Sequence, residues 1–126
     1  MSIKEQLQIT IVQKMIVRSP FAKGNCKEYI LDLTYNNKTM RYNFYDSVYN
    51  YENNQELNKF ETLYAILTDR RAYRYSRSVE DFAKEFGYTD EEKARKVYSA
   101  CKKIALDLER LFTEEELEQL EQEVEV

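Results

Sequence analysis

Between Leu7 and Val17 the chain reads LQITIVQKMIV, and Leu7, Ile9 and Ile11 alternate with Gln8 and Thr10. That period of two predicts a strand with one buried face. From Val12 to Val17 the alternation fails, which predicts a bulge or a buried segment. SPFAKGN, holding Pro20 and Gly24, predicts a loop. In CKEYILDLTY, Tyr29, Leu31, Leu33 and Tyr35 share one face and Ile30, Asp32 and Thr34 the other. After Asn36-Asn37, Met40, Tyr42 and Phe44 alternate with Arg41, Asn43 and Tyr45. Asparagine tolerates the positive φ of tight turns, so the last two runs predict a hairpin within a three-stranded antiparallel sheet.

From about residue 55 the period becomes helical. Leu57, Phe60, Leu63, Tyr64 and Leu67 form one predicted stripe. Ser78 and Asp81 have capping-box spacing, Phe82 and Phe86 lie one turn apart, and Gly87 supplies a stop. Thr89 with Glu92 repeats the spacing before the longest helix, whose stripe is Ala94, Val97, Tyr98, Cys101, Ala105, Leu108 and Phe112. Thr113 with Glu116 opens a last helix carrying Leu117, Leu120 and Val124. The fold class read from these patterns is α+β: a three-stranded antiparallel sheet followed by about four helices. One domain is expected over 1–126, with a β part at 1–50, a helical part at 55–112 and an acidic terminal helix at 113–126.

Composition sharpens this picture by exclusion. Histidine is absent, which removes the usual general base and zinc ligand. Two glycines cannot build a glycine-rich phosphate loop, and no cofactor is expected. Cys26 and Cys101 are read as reduced thiols; Cys101 lies on an apolar stripe, and Cys26 has no histidine to activate it. Glu91-Glu92-Lys93 has a nuclease-like spacing but falls at a helix start rather than on a strand. The reading is therefore non-enzymatic. The polar first residues do not resemble a signal peptide, and no segment has the roughly 20 apolar residues that span a bilayer. A cytoplasmic protein without membrane contact is expected. Eleven tyrosines and no tryptophan suit half-buried sheet rims, or an interface.

The net charge of −4 is unevenly distributed. Residues 113–126 hold seven glutamates and no basic residue, so removing that −7 leaves +3 for the rest. Two charged segments are thus candidate binding sites. The first is Arg70, Arg71, Tyr73, Arg74, Tyr75 and Arg77. On a continuous helix Arg70, Arg74 and Arg77 lie within about 60° of one another, in line with Leu63 and Leu67. Unpaired charges are costly in a core, so the helix is expected to end near 69–72 or to run past the core. The arginines then either find internal Glu or Asp partners or bind an external phosphate or carboxylate. The second segment is Glu114, Glu115, Glu116, Glu118, Glu121 and Glu123, either a solubilising face or a phosphate-like surface for a basic partner. VEDFAKEFGYTDEEKARKVY has helix-turn-helix spacing, but Asp90, Glu91 and Glu92 would meet phosphates with carboxylates, so a plain helical corner is preferred.

Phe82, Phe86, Gly87, Tyr88, Ala94, Tyr98, Ala100, Cys101, Leu111 and Phe112 together resemble the signature of a family of small phage- and prophage-encoded proteins. The likeness covers roughly residues 57–120. That family has no assigned activity, and its members often carry cysteine at the position of Ala83 and fewer arginines before the Phe-rich helix. The resemblance implies a protein acting in a bacterial host cell. Small phage proteins of this kind often bind and block a host defence nuclease complex, as anti-CRISPR and anti-restriction proteins do. The expected partner is accordingly a host protein or nucleoprotein complex. Direct nucleic-acid binding through the arginines and a transcription or assembly modulator are the alternatives, and a homo-oligomer is compatible with either.

Overall fold

The computed structural model describes residues 2–19, 23–46 and 58–126. Pro20 and Leu57 lie outside the described residues. The chain divides into two compact units, Met1–Thr62 and Leu63–Val126.

The first unit opens with a one-turn helix that the sequence pattern did not suggest, α1 (Ile3–Gln6), whose N-cap Ser2 hydroxyl accepts from the Glu5 amide. Strands β1 (Gln8–Arg18), β2 (Asn25–Tyr35) and β3 (Lys38–Asp46) form an antiparallel sheet in the order β1-β2-β3. The predicted hairpin is present: Asn36 and Asn37 sit at φ 50° and 65° between β2 and β3. The predicted alternation also holds, with Tyr29, Leu31, Leu33, Tyr35, Met40 and Tyr42 all buried. On the opposite face Asp32 pairs with Arg41 at 3.0 Å and the Thr34 and Thr39 hydroxyls meet at 3.0 Å. Lys59 Nζ donates to the carbonyls of Lys4 and Leu7, both at 2.6 Å, and so caps the end of α1.

The second unit begins within α2 (Lys59–Tyr75) and continues through α3 (Val79–Phe86), α4 (Glu91–Leu111) and α5 (Glu114–Val124). The buried stripe of α2 is rotated from the expected one. Leu63, Ile66, Leu67 and Arg70 are buried, whereas Phe60 and Tyr64 are exposed. Both sets share Leu63 and Leu67 at helical spacing, so periodicity alone could not choose between the flanking residues. Most apolar residues of α4 and α5 face inward, with Ile104 and Leu111 adding to the expected α4 stripe.

Two of the three predicted caps form as read. Ser78 Oγ accepts from the Asp81 amide, and Thr113 and Glu116 close a full reciprocal box. The third moves by one residue, because Asp90 rather than Thr89 caps α4, accepting from the amides of Glu92 and Lys93 at 3.0 and 3.2 Å. Gly87 ends α3 at φ 73° with open space where a Cβ would sit. Gly87→Ala therefore costs only the left-handed backbone strain, about 1 kcal/mol. A thermal melt is expected to shift down by about 4 °C; an unchanged midpoint would mean that this cap contributes nothing.

Candidate functional site

The two charged segments meet each other. Because α2 runs on to Tyr75 instead of stopping near residue 70, its stripe carries Arg70 inward, to 2% exposure. There Arg70 Nη1 donates to Glu121 Oε1 at 2.9 Å and Nη2 to Glu114 Oε2 at 3.1 Å. Arg74 Nη1 reaches Glu114 Oε1 at 2.6 Å, so one carboxylate bridges two guanidinium groups. The neighbouring arginines hold the Glu114 carboxyl below its usual range, the Arg74 hydrogen bond being the largest cause, and Glu114 in turn raises Arg74. Arg70 Nε is buried and has no acceptor among the described residues. Arg70, Arg71, Arg74, Tyr75, Glu114, Glu118 and Glu121 line a cleft of about 240 Å³. Spacings of i, i+4 on α2 and i, i+4, i+7 on α5 bring these side chains to facing sides of the cleft.

The remaining residues of the two segments are divided between scaffold and surface. Tyr73 packs against Tyr98 at 5.4 Å between ring centroids, and Tyr98 in turn meets Phe82 at 5.5 Å. Phe82 also contacts Phe86 at 4.9 Å and stacks on Tyr88 at 5.7 Å. Four aromatic members of the sequence signature, Phe82, Phe86, Tyr88 and Tyr98, thus form one cluster with Tyr73 in this unit. Arg71 lies over the exposed Tyr75 ring at 5.6 Å, and Arg77 is exposed. Glu116 is engaged in its capping box, and Glu123 accepts from Gln119 at 2.8 Å. Glu115 and Glu118 are exposed. The expected alternative of internal carboxylate partners therefore describes Arg70 and Arg74, although Arg70 is buried rather than at a solvated helix end.

Asp69 lies next to this site in sequence, and burial pushes its carboxyl up to about 6. Burial first, and the Asp69 charge second, raise the Cys101 thiol to about 12. A thiol so placed is a thiol, not a thiolate, at neutral pH, in keeping with a core position. Cys26 and Cys101 are both buried, and neither is in a disulfide. Among the described residues no group of three or more His, Cys, Asp or Glu is placed to hold a metal ion, and no helix is long and apolar enough to cross a membrane.

A second surface lies on β1. This strand is an outer strand of the sheet, eleven residues long, with β2 on one side and no partner among the described residues on the other. The expected irregularity is present, since the register with β2 shifts between Ile11 and Gln13 and leaves Val12 as the extra residue. The expected alternative, a buried segment, is not what forms. Ile11, Val12 and Ile16 are 45%, 48% and 56% exposed. Pairing places Ile9 opposite Leu33, Ile11 opposite Leu31, Lys14 opposite Tyr29 and Ile16 opposite Lys27. These β1 residues therefore extend the sheet face that is buried at Tyr29, Leu31 and Leu33. The sequence did signal this strand, through apolar residues on both sides of the bulge, but hydropathy does not distinguish an outer strand from a central one.

No protein-family model, curated protein or solved structure matches this chain. The site's chemistry therefore carries the functional reading.

Proposed function

We propose that this chain is a non-catalytic binding protein that docks on a partner protein by adding its β1 edge to an extended segment of that partner. The observation that carries the reading is the apolar edge of β1, which has no strand partner among the described residues. A long outer strand presents unpaired backbone donors and acceptors, and exposed isoleucines beside them favour capture of a further strand. The internal pairing of Arg70 and Arg74 with Glu114 and Glu121 supports the choice. Groups already paired with each other are poorer external ligands than the unmatched edge. The resemblance to phage-encoded proteins supplies the partner class: a host defence nuclease complex, blocked by occlusion.

The test is infection of cells that carry an active CRISPR or restriction nuclease and express this chain. The wild type is expected to restore plaque formation, and Ile16→Glu to abolish the restoration while circular dichroism and melting show a folded protein. No restoration by the wild type against any such nuclease would sink the inhibitor reading. Restoration retained in Ile16→Glu but lost in Arg71→Gln/Arg77→Gln would move the interface to the helical unit and overturn docking through β1.

A further inference from the structure

Resting on that reading, we infer that the segment taken up by β1 is an acidic one, with two carboxylates four residues apart that flank an apolar residue on one face. On the face continuous with Tyr29 and Leu31, the run after the bulge is Lys14, Ile16 and Arg18, placed opposite Tyr29, Lys27 and Asn25. Lys14 and Arg18 are exposed, and neither has a carboxylate partner among the described residues. Arg41 on the same sheet, by contrast, is matched by Asp32 across the strands at 3.0 Å. The β1 sequence QITIVQKMIVR holds two cations and no anion. An incoming strand thus meets a cation, an isoleucine and a cation at successive same-face positions, since same-face neighbours recur every second residue. Directly opposed unlike charges stabilise a strand pair and like charges oppose it.

The same charges select against the obvious competitor. Pairing β1 with β1 of a second copy would gather four cations and no carboxylate at one seam. Edge lysines of this kind prevent self-association of exposed strands. An acidic and apolar strand of another protein satisfies both the isoleucines and the cations. Val12, extruded at the bulge, pins the register, because the two halves of β1 present opposite residue parities to the same face.

A fluorescent ten-residue peptide tests the inference, with Glu at two positions four apart, Val between them on the same face, and Thr on the other face. By fluorescence anisotropy at low salt it is expected to bind the wild-type chain at least about ten-fold more tightly than the same peptide with Lys in place of Glu. Lys14→Glu/Arg18→Glu should reverse that preference, which loss of folding cannot do. Equal binding of both peptides, weakened for each by Ile16→Glu, would leave strand addition standing and overturn the acidic specificity. Binding of the acidic peptide that ignores Lys14→Glu/Arg18→Glu would place it elsewhere on the molecule and overturn the inference. If neither peptide binds, strand addition itself fails. A concentration-dependent dimer dissolved by Ile16→Glu would put a second copy on the edge instead.

Discussion

Replacing both Glu114 and Glu121 by glutamine is expected to lower stability by about 3–5 kcal/mol, and replacing Arg70 by methionine by distinctly less. The asymmetry follows from where each charge sits. Arg70 is 2% exposed, so a guanidinium without its two carboxylates is a buried charge with no counterion. Glu114 and Glu121 are 51% and 23% exposed at the side chain, and without Arg70 they can still turn to water. Methionine keeps much of the apolar bulk of the arginine stem and removes the unpaired Nε donor, whose burial is itself unfavourable. Urea unfolding of the two variants checks the order. A domain stability of about 5–15 kcal/mol makes a loss of this size plainly visible. The opposite order, with the methionine variant the weaker, would mean that the arginine contributes chiefly by packing.

The second large effect is a gain. Asp69→Asn is expected to stabilise the protein by about 2 kcal/mol at pH 7.5 and to change nothing below about pH 4. The folded carboxyl titrates near 6 against an ordinary value of 3.8, because burial disfavours its ionised form. Between those values the folded chain holds a proton that the unfolded chain has released. Stability therefore falls as pH rises from about 4 to 6, and the full penalty is present above that window. The figure is smaller than the whole shift implies because Asp69 keeps some solvent contact. Asparagine has nearly the same shape and never ionises, so the difference between the two unfolding curves isolates this carboxyl. Removing its charge should also let the Cys101 thiol titrate slightly lower, since Asp69 is its second cause of elevation. A constant difference across the pH range would refute the assignment.

The fold was legible where one physical rule had one solution. Asn36-Asn37 forms the tight turn expected between alternating runs, and Thr113 with Glu116, with no competing Asp beside it, forms the expected cap. It was less legible where a rule had two adjacent solutions. The stripe of α2 could be closed by Phe60 and Tyr64 or by Ile66 and Arg70, and hydropathy favours the aromatic pair. The structure selects the other because Glu114 and Glu121, more than forty residues away in sequence, make Arg70 tolerable inside. Asp90 displaced Thr89 as cap for a local reason instead, since its carboxylate reaches two amides at once.

The candidate sites show the same division. Each charged segment was conspicuous alone, and an internal carboxylate partner was one of the two readings open for the arginines. Nothing in a linear sequence identified the glutamates of α5 as that partner. The β1 edge was harder still, because its apolar residues look like core until the strand order leaves them outside. What distinguishes a binding strand from a buried one here is a neighbour on the outer side of β1, which no described residue supplies.

The claim that the basic and acidic segments are each other's partners is tested most directly by a double-mutant cycle on Arg70→Met and Glu121→Gln, read by urea unfolding at moderate salt. A direct buried contact at 2.9 Å predicts a coupling of about 1.5–3 kcal/mol, with the double variant less destabilised than the two single losses imply. Single effects that simply add, to within about 0.5 kcal/mol, would contradict it and return the arginines to the surface as a free binding site.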